Sequence, residues 1–283
     1  MFNRQKALLA MIQQAGRPVQ RMELTKWAFI LRNETESQGG PAFFDFVPYH
    51  YGPFSFALYQ EAGKLESQGY LASDGDAWTL GSMATPKLDD RQTTADIASI
   101  VKRYAALPTD ALLDHVYTRH PEFTIFSKRK RLAERANADL AVYTSGYEGL
   151  SIDGFLNRLT VAGVRHLIDV RCNPIARRYG FHKSTLKRLC ENLDIRYSHA
   201  PEVGIQSEKR RTLDSQDDYD ELFIDYCETT LKSEREAINR VSKWVQESPS
   251  VLVCMESEPC RCHRSHLAEA VSKLTKLPVH HLI

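Results

Sequence analysis

The densest run of reactive side chains in this sequence lies near its end, in Cys254-Met255-Glu256-Ser257-Glu258-Pro259-Cys260-Arg261-Cys262-His263-Arg264-Ser265. Three chemistries are open to it. Cys254, Cys260, Cys262 and His263 carry the donor atoms of a zinc site, although C-x5-C-x-C-H is not a common spacing and Cys254 reads as a strand residue. Cys262 or Cys260, at a helix start beside His263 and Arg264, would suit a nucleophilic thiolate. In the third reading, the one favoured by the residues, Glu256 gives or takes a proton while the Cys-His-Arg turn grips a substrate and the sulfurs mainly pack. That reading requires no metal and no cofactor.

A second cluster is basic. Arg171, Arg177 and Arg178 follow a short apolar run, and guanidinium groups offer planar paired donors for phosphate or carboxylate. The competing expectation is that they pair with Glu148, Glu202 or Glu256 and brace the loops. Asp169, two residues before Arg171, is placed to organise this loop as readily as to react. His280 and His281 read as a half-buried pair in the last strand.

These residues need a scaffold that gathers them. From Leu140 onward, strand-like runs at 140–146, 165–171, 195–199, 250–256 and 278–283 alternate with helical patterns at 152–162, 183–193, 218–247 (broken near Ser233) and 263–276. That alternation predicts βαβ units: a small doubly wound, mainly parallel five-stranded sheet of the α/β class. In such a sheet the ligand crevice lies beyond the carboxyl ends of the strands. The residues expected there are Tyr147 and Glu148; Arg171, Asn173, Arg177 and Arg178; Glu202; then Cys254 and Glu256, with Cys260, Cys262, His263, Arg264 and Ser265. The polar stretch from Gln206 to Asp217 reads as a mobile loop.

The first half has a different grammar. Residues 5–14 and 21–33 carry apolar side chains at helical spacing, as do Leu58, Ala62 and Leu65. Two short strand-like pieces, Gly69-Tyr70-Leu71 and Ala77-Trp78-Thr79-Leu80, flank the turn Asp74-Gly75-Asp76. Helices followed by a β-ribbon is the order of a winged helix. Residues 91–118 add two helices broken at Pro108, and a basic stretch begins at Lys128-Arg129-Lys130-Arg131. The division expected is a mainly helical, winged-helix-like recognition domain over 1–138 and an α/β domain over 139–283.

Composition narrows the classes. With 283 residues, 42% hydrophobic and 26% charged, disorder and collagen-like structure are excluded, and two domains are the natural reading. The net charge of +1 supplies no global attraction to nucleic acid, so any such binding must be local. All six cysteines fall in the second half, which reads as reduced thiols rather than a secreted disulfide framework. No apolar run is long enough to span a bilayer and no secretory leader is evident, so a cytoplasmic location without a membrane partner is expected.

Residues 142–283 resemble the DUF488 family. The likeness is carried by Thr144-Ser145-Gly146-Tyr147-Glu148-Gly149, by Ile168-Asp169-Val170-Arg171 with Asn173-Pro174, Arg177 and Gly180-Phe181, by Pro201-Glu202-Val203-Gly204, and by Cys254-Met255-Glu256 with Cys262-His263-Arg264-Ser265. Ala176 stands where a serine is expected, and Val203 where a leucine is expected. Residues 1 to about 85 resemble YwgA-like and Panacea-type helical domains, through Leu24-Thr25-Lys26 and Pro48-Tyr49-His50-Tyr51-Gly52-Pro53-Phe54. That likeness implies a recognition module from a defence or toxin–antitoxin setting joined to a catalytic one.

The functional expectation is a nucleic-acid- or nucleotide-directed hydrolase acting on an N-glycosidic or phosphoester bond. Glu256, Glu148, His263 and Cys262 are the candidates for chemistry. Tyr147, Arg171, Asn173, Arg177, Arg178, Phe181, Glu202, Arg264 and Ser265 are the candidates for binding, with Tyr147 and Phe181 free to stack on a base. Two readings from other classes are a non-enzymatic DNA-binding or antitoxin-like regulator that senses a nucleotide, and a thiol transferase suggested by the likeness of the Asp-Val-Arg strand to rhodanese-type strands. A homodimer is one option for the assembly.

Overall fold

Residues 1–206, 209 and 216–283 are described in the structure, a computed structural model, so most of the expected loop from Gln206 to Asp217 lies outside the described residues. The chain divides into two units, Met1–Glu134 and Arg135–Ile283. The division expected from the sequence falls after residue 138.

The first unit opens with α1 (Asn3–Ala15), β1 (Val19–Gln20) and α2 (Arg21–Glu34). A hairpin follows, β2 (Val47–Tyr49) and β3 (Gly52–Phe54), and then α3 (Phe56–Ser67), β4 (Leu71–Asp74) and β5 (Ala77–Leu80). Strands β1, β5 and β4 form an antiparallel sheet in that order, and helices followed by this β-ribbon is the element order expected from the sequence. Ser55 caps α3 by accepting from the Leu58 amide, one of the four donors a helix start leaves open. Helices α4 (Arg91–Tyr104) and α5 (Thr109–Arg119) follow. Leu8, Leu9 and Met11 of α1 and Leu24, Trp27, Phe29 and Leu31 of α2 are fully buried in one core.

The hairpin was not separable by sequence pattern from an aromatic core with a Gly-Pro turn. Gly52 has a φ of 81°, and a Cβ there would press on the Tyr117 ring, so this turn needs glycine. Tyr51 is exposed at the tip.

Lys26 sits under that hairpin, 3% exposed, and its Nζ donates to the Pro53 carbonyl at 2.7 Å. Burial depresses its pKa to about 7. An unfolded chain keeps the lysine proton up to about pH 10.4, so between that pH and 7 it binds more protons than the native state. Stability contributed by this group therefore rises with pH across the window, by at most about 1.4 kcal/mol per unit, and is flat below pH 7. Urea titrations of wild type and Lys26→Met from pH 6.5 to 9.5 should show the slope only in the wild type. Parallel pH profiles would contradict this account of the buried amine.

The second unit contains β6 (Val142–Gly146), α6 (Ile152–Val161), β7 (His166–Asp169), α7 (Lys183–Glu191) and β8 (Arg196–His199), then α8 (Gln216–Glu228), α9 (Thr230–Ser233), α10 (Arg235–Glu247), β9 (Ser250–Cys254), α11 (His263–Thr275) and β10 (Val279–Leu282). Its five strands are all parallel, in the order β10-β6-β9-β7-β8. This is the small α/β sheet expected. The long helical pattern from 218 breaks at α9, near Ser233.

Both faces of the sheet are covered, so the central strands read as nearly continuous apolar runs. Ile168, Val170, Leu252 and Cys254 face a core shared with α10 and α11, through Ile238, Val241, Leu267 and Val271. Leu167, Val251 and Val253 alternate with them and are also fully buried. Two strands end earlier than their sequence runs. The Asp169 side chain accepts from the Arg171 amide at 3.2 Å and turns the chain out of β7, while the Met255 carbonyl past β9 accepts from the Tyr147 and Glu148 amides. His280 and His281 lie exposed on the edge strand β10, rather than half-buried.

Candidate functional site

Strands β9 and β7 are neighbours, yet the chain leaves β9 towards β10 on one side and leaves β7 towards β8 on the other. Diverging connections open a crevice at the carboxyl ends of such a pair. A cavity of about 590 Å³ lies there. Tyr147 and Glu148 from the end of β6, Arg171 and Asn173 from the end of β7, and Cys254, Glu256 and His263 from the β9–α11 segment all line it. Seven residues singled out in the sequence thus share one hollow.

Close approach of two backbones makes this possible. Gly146 ends β6 against the loop after β9, and a Cβ at this position would run into the Glu256 carbonyl. Glu148 then reaches across, its Oε2 accepting from the Ser257 amide at 3.1 Å.

Arg171 is committed within the protein. Its Nε and NH2 groups donate to Asp169 at 2.8 and 2.6 Å, and NH1 donates to the Tyr147 hydroxyl and to the Phe181 carbonyl, both at 2.9 Å. Asp169 is fully buried and also accepts from the Tyr197 hydroxyl at 2.7 Å. Burial opposes the charge on Arg171, but the paired carboxylate outweighs it and raises the guanidinium pKa. The expected anion clamp is here a buried, neutralised brace that sets the floor of the cavity.

The other two arginines are elsewhere. Arg177 and Arg178 are exposed and do not line the cavity; Arg178 lies over the Phe181 ring at 5.9 Å. Arg177→Ala is expected to change stability by no more than about 0.5 kcal/mol, as for an exposed side chain with no partner among the described residues. A larger fall in the urea midpoint would show that Arg177 is structural.

Tyr147 and Phe181 stack on each other, with ring centroids 4.1 Å apart at 13°, and both are buried. Neither presents a free face to a base, contrary to the expectation from sequence. Burial raises the Tyr147 pKa despite the neighbouring Arg171. Glu202 pairs with Arg240 at 2.9 Å and lines a second hollow, not the first. Ser265 donates to the Pro259 carbonyl and closes its own turn. Arg264 is 1% exposed and holds the carbonyls of Glu256 and Ser257.

Cys262 differs from an activated nucleophile. Its thiol is 1% exposed and donates to Glu256 Oε2 at 3.0 Å. Burial, with Cys254 and Glu256 close by, pushes its pKa well up, and Arg264 offsets this only in part. A neutral, shielded thiol is the opposite of what thiolate catalysis needs. Cys260 is exposed and takes no part in the Cys254–Cys262–His263 group. All six cysteines are free.

The opposite wall was not foreseen. Ile205 and, from α8, Tyr219, Leu222 and Phe223 line the cavity, and Phe223 and Tyr226 pack around His266 and His263 with centroids 4.9 and 5.4 Å apart. Their spacing in the sequence marks an amphipathic helix. Nothing in that spacing says which strand tips the helix will cover.

Residues 151–271 match DUF488, a domain of unknown function. The matched span holds the Arg171, Glu256 and His263 parts of the cavity, while Tyr147 and Glu148 enter it from just before the matched residues. The N-terminal resemblance rests on its own short motif, outside the matched residues. Among curated proteins and among solved structures, none matches the chain. Among the described residues, no helix is long and apolar enough to cross a membrane.

Proposed function

We propose that the DUF488 domain hydrolyses an N-glycosidic bond in a nucleotide or a nucleic acid, with Glu256 as the residue that transfers the proton. The observation that carries this reading is the charge of the cavity. Two glutamates, Glu148 and Glu256, reach it, joined by Glu258, while Arg171 is cancelled by Asp169. Cleaving a glycosidic bond builds positive charge on the sugar, and flanking carboxylates stabilise an oxocarbenium-like transition state. Phosphoryl transfer places negative charge on equatorial oxygens and needs uncompensated cations, of which this hollow offers Arg261. The glycosidic half of the original expectation is therefore preferred to the phosphoester half.

Tyr219 and Phe223, rather than Tyr147 and Phe181, supply the aromatic wall against which a base would rest. The winged-helix unit is assigned to recognition. Its wing tip carries Asp74 and Asp76, which repel phosphate, so contact with a nucleic-acid backbone falls to Lys128, Lys130 and Arg131, all exposed. Arg129 is already held by Asp110 and Asp114. The deciding assay is release of free base from nucleosides, nucleotides and single- or double-stranded oligonucleotides, measured by chromatography for wild type and Glu256→Gln.

A further inference from the structure

Three soft or borderline donors meet at the edge of the cavity. The Cys254 and Cys262 sulfurs lie 3.8 and 3.9 Å from His263 Nδ1, and the three donor atoms all fall within 4.8 Å of one another. All three residues are buried. His263 Nε2 lies 3.2 Å from the Val170 carbonyl, so it carries the ring proton and donates it there. That bond leaves the Nδ1 lone pair directed at the sulfurs. A backbone carbonyl on the far nitrogen is the arrangement that orients a metal-bound imidazole.

The spacing suits a coordination polyhedron. Bonds of about 2.3 Å to sulfur and about 2.0 Å to nitrogen at tetrahedral angles give an S···N edge of roughly 3.6 Å. The two observed edges exceed that by a few tenths of an ångström, within what a side-chain rotation closes. Glu256 Oε2 lies 3.0 Å from the Cys262 sulfur, and Glu256 lines the cavity together with Cys254 and His263.

Charge points the same way. Arg264 is a buried guanidinium whose hydrogen bonds go to two backbone carbonyls, and its Nε has no partner among the described residues. A buried cation needs compensating negative charge. A metal that displaced both thiol protons would leave two thiolates, Glu256 and Arg264 with a summed charge of −2, which one divalent cation neutralises.

We propose that Cys254, Cys262 and His263 bind a single thiophilic divalent cation of the zinc class, with its open coordination position towards Glu256 and the cavity. Three protein ligands and one open position is the pattern of a reactive rather than a purely structural zinc site. Of the four ligands considered from sequence, Cys260 is the one that the fold removes. The assignment rests on the ligand geometry and is independent of which bond the domain cleaves.

The test uses the full-length protein, reduced and stripped with chelator, then titrated with Zn²⁺ against a chromophoric competitor and with Co²⁺. One Zn²⁺ per chain and a thiolate-to-Co²⁺ charge-transfer band are expected from the wild type, which needs no variant to fold. Cys254→Ser and Cys262→Ser should each weaken Zn²⁺ by more than the roughly 10- to 100-fold that outer-sphere changes cost. Cys260→Ser should bind as the wild type does. The proposal is overturned if the reduced wild type takes up no Zn²⁺ at micromolar concentration, if the Cys254→Ser/Cys262→Ser double variant binds undiminished, or if Cys260→Ser abolishes the Co²⁺ band. Because the readout is metal content, these outcomes are separate from whether any nucleotide is hydrolysed.

Discussion

Glu256→Gln is expected to lower release of free base by about 10²- to 10⁴-fold, the range that positioned proton transfer supplies. The amide keeps the size of the side chain and can still accept from the Cys262 thiol, which now lies 3.0 Å from Glu256 Oε2. Folding should therefore survive, and circular dichroism and the urea midpoint should match the wild type. Glu148→Gln is the informative companion. Its carboxylate is anchored by the Ser257 amide, an interaction that an amide oxygen can also accept, so a comparable loss of turnover would place both carboxylates in the reaction. Unchanged turnover in Glu256→Gln would refute the role assigned to Glu256. Nucleotide or oligonucleotide binding by the wild type with no product from any substrate would instead support the regulator reading.

Asp169→Ala should be the most damaging single change to stability in the second unit. It removes a fully buried acceptor that holds Arg171 through two side-chain bonds and one amide bond, and also holds Tyr197. What is left is a guanidinium of 7% exposure without its counter-charge. Breaking one side of a buried pair typically costs about 3 to 5 kcal/mol, which for a domain of this size lowers Tm by on the order of 10 °C. The turn out of β7 and the packed Tyr147–Phe181 pair depend on the same network, so ligand binding should be lost along with stability. A variant that melts within about 1 kcal/mol of wild type while losing anion affinity would return Arg171 to the clamp role.

The two predictions separate what could be read directly from what could not. Strand positions in the second half were legible because apolar runs covered on both faces, punctuated by Gly, Pro and polar turns, have few other solutions. Even the early ends of β7 and β9 have local causes: an Asp169 side chain bonding its own loop, and a Met255 carbonyl bonding the next one. The arginines were misjudged for a physical reason. A guanidinium looks the same in sequence whether it faces solvent or a buried carboxylate, and only the alternation of β7 against β8, which brings Tyr197 to Asp169, decides between them.

The Cys-His cluster shows the same limit. Four donors in ten residues announce metal or thiol chemistry, but the strand end, the intervening turn and the first residues of α11 determine which donors converge. That geometry keeps Cys254, Cys262 and His263 and leaves Cys260 in solvent.

By itself the sequence determined the two-part organisation, the parallel α/β class of the second part and the residue types available at the strand tips, since periodicity and turn chemistry are local properties. The tertiary structure alone decided the strand order, the crevice at the tips of β9 and β7, the α8 wall and the pairing state of every charge within it. Those depend on contacts between residues distant in the chain, which local patterns do not encode.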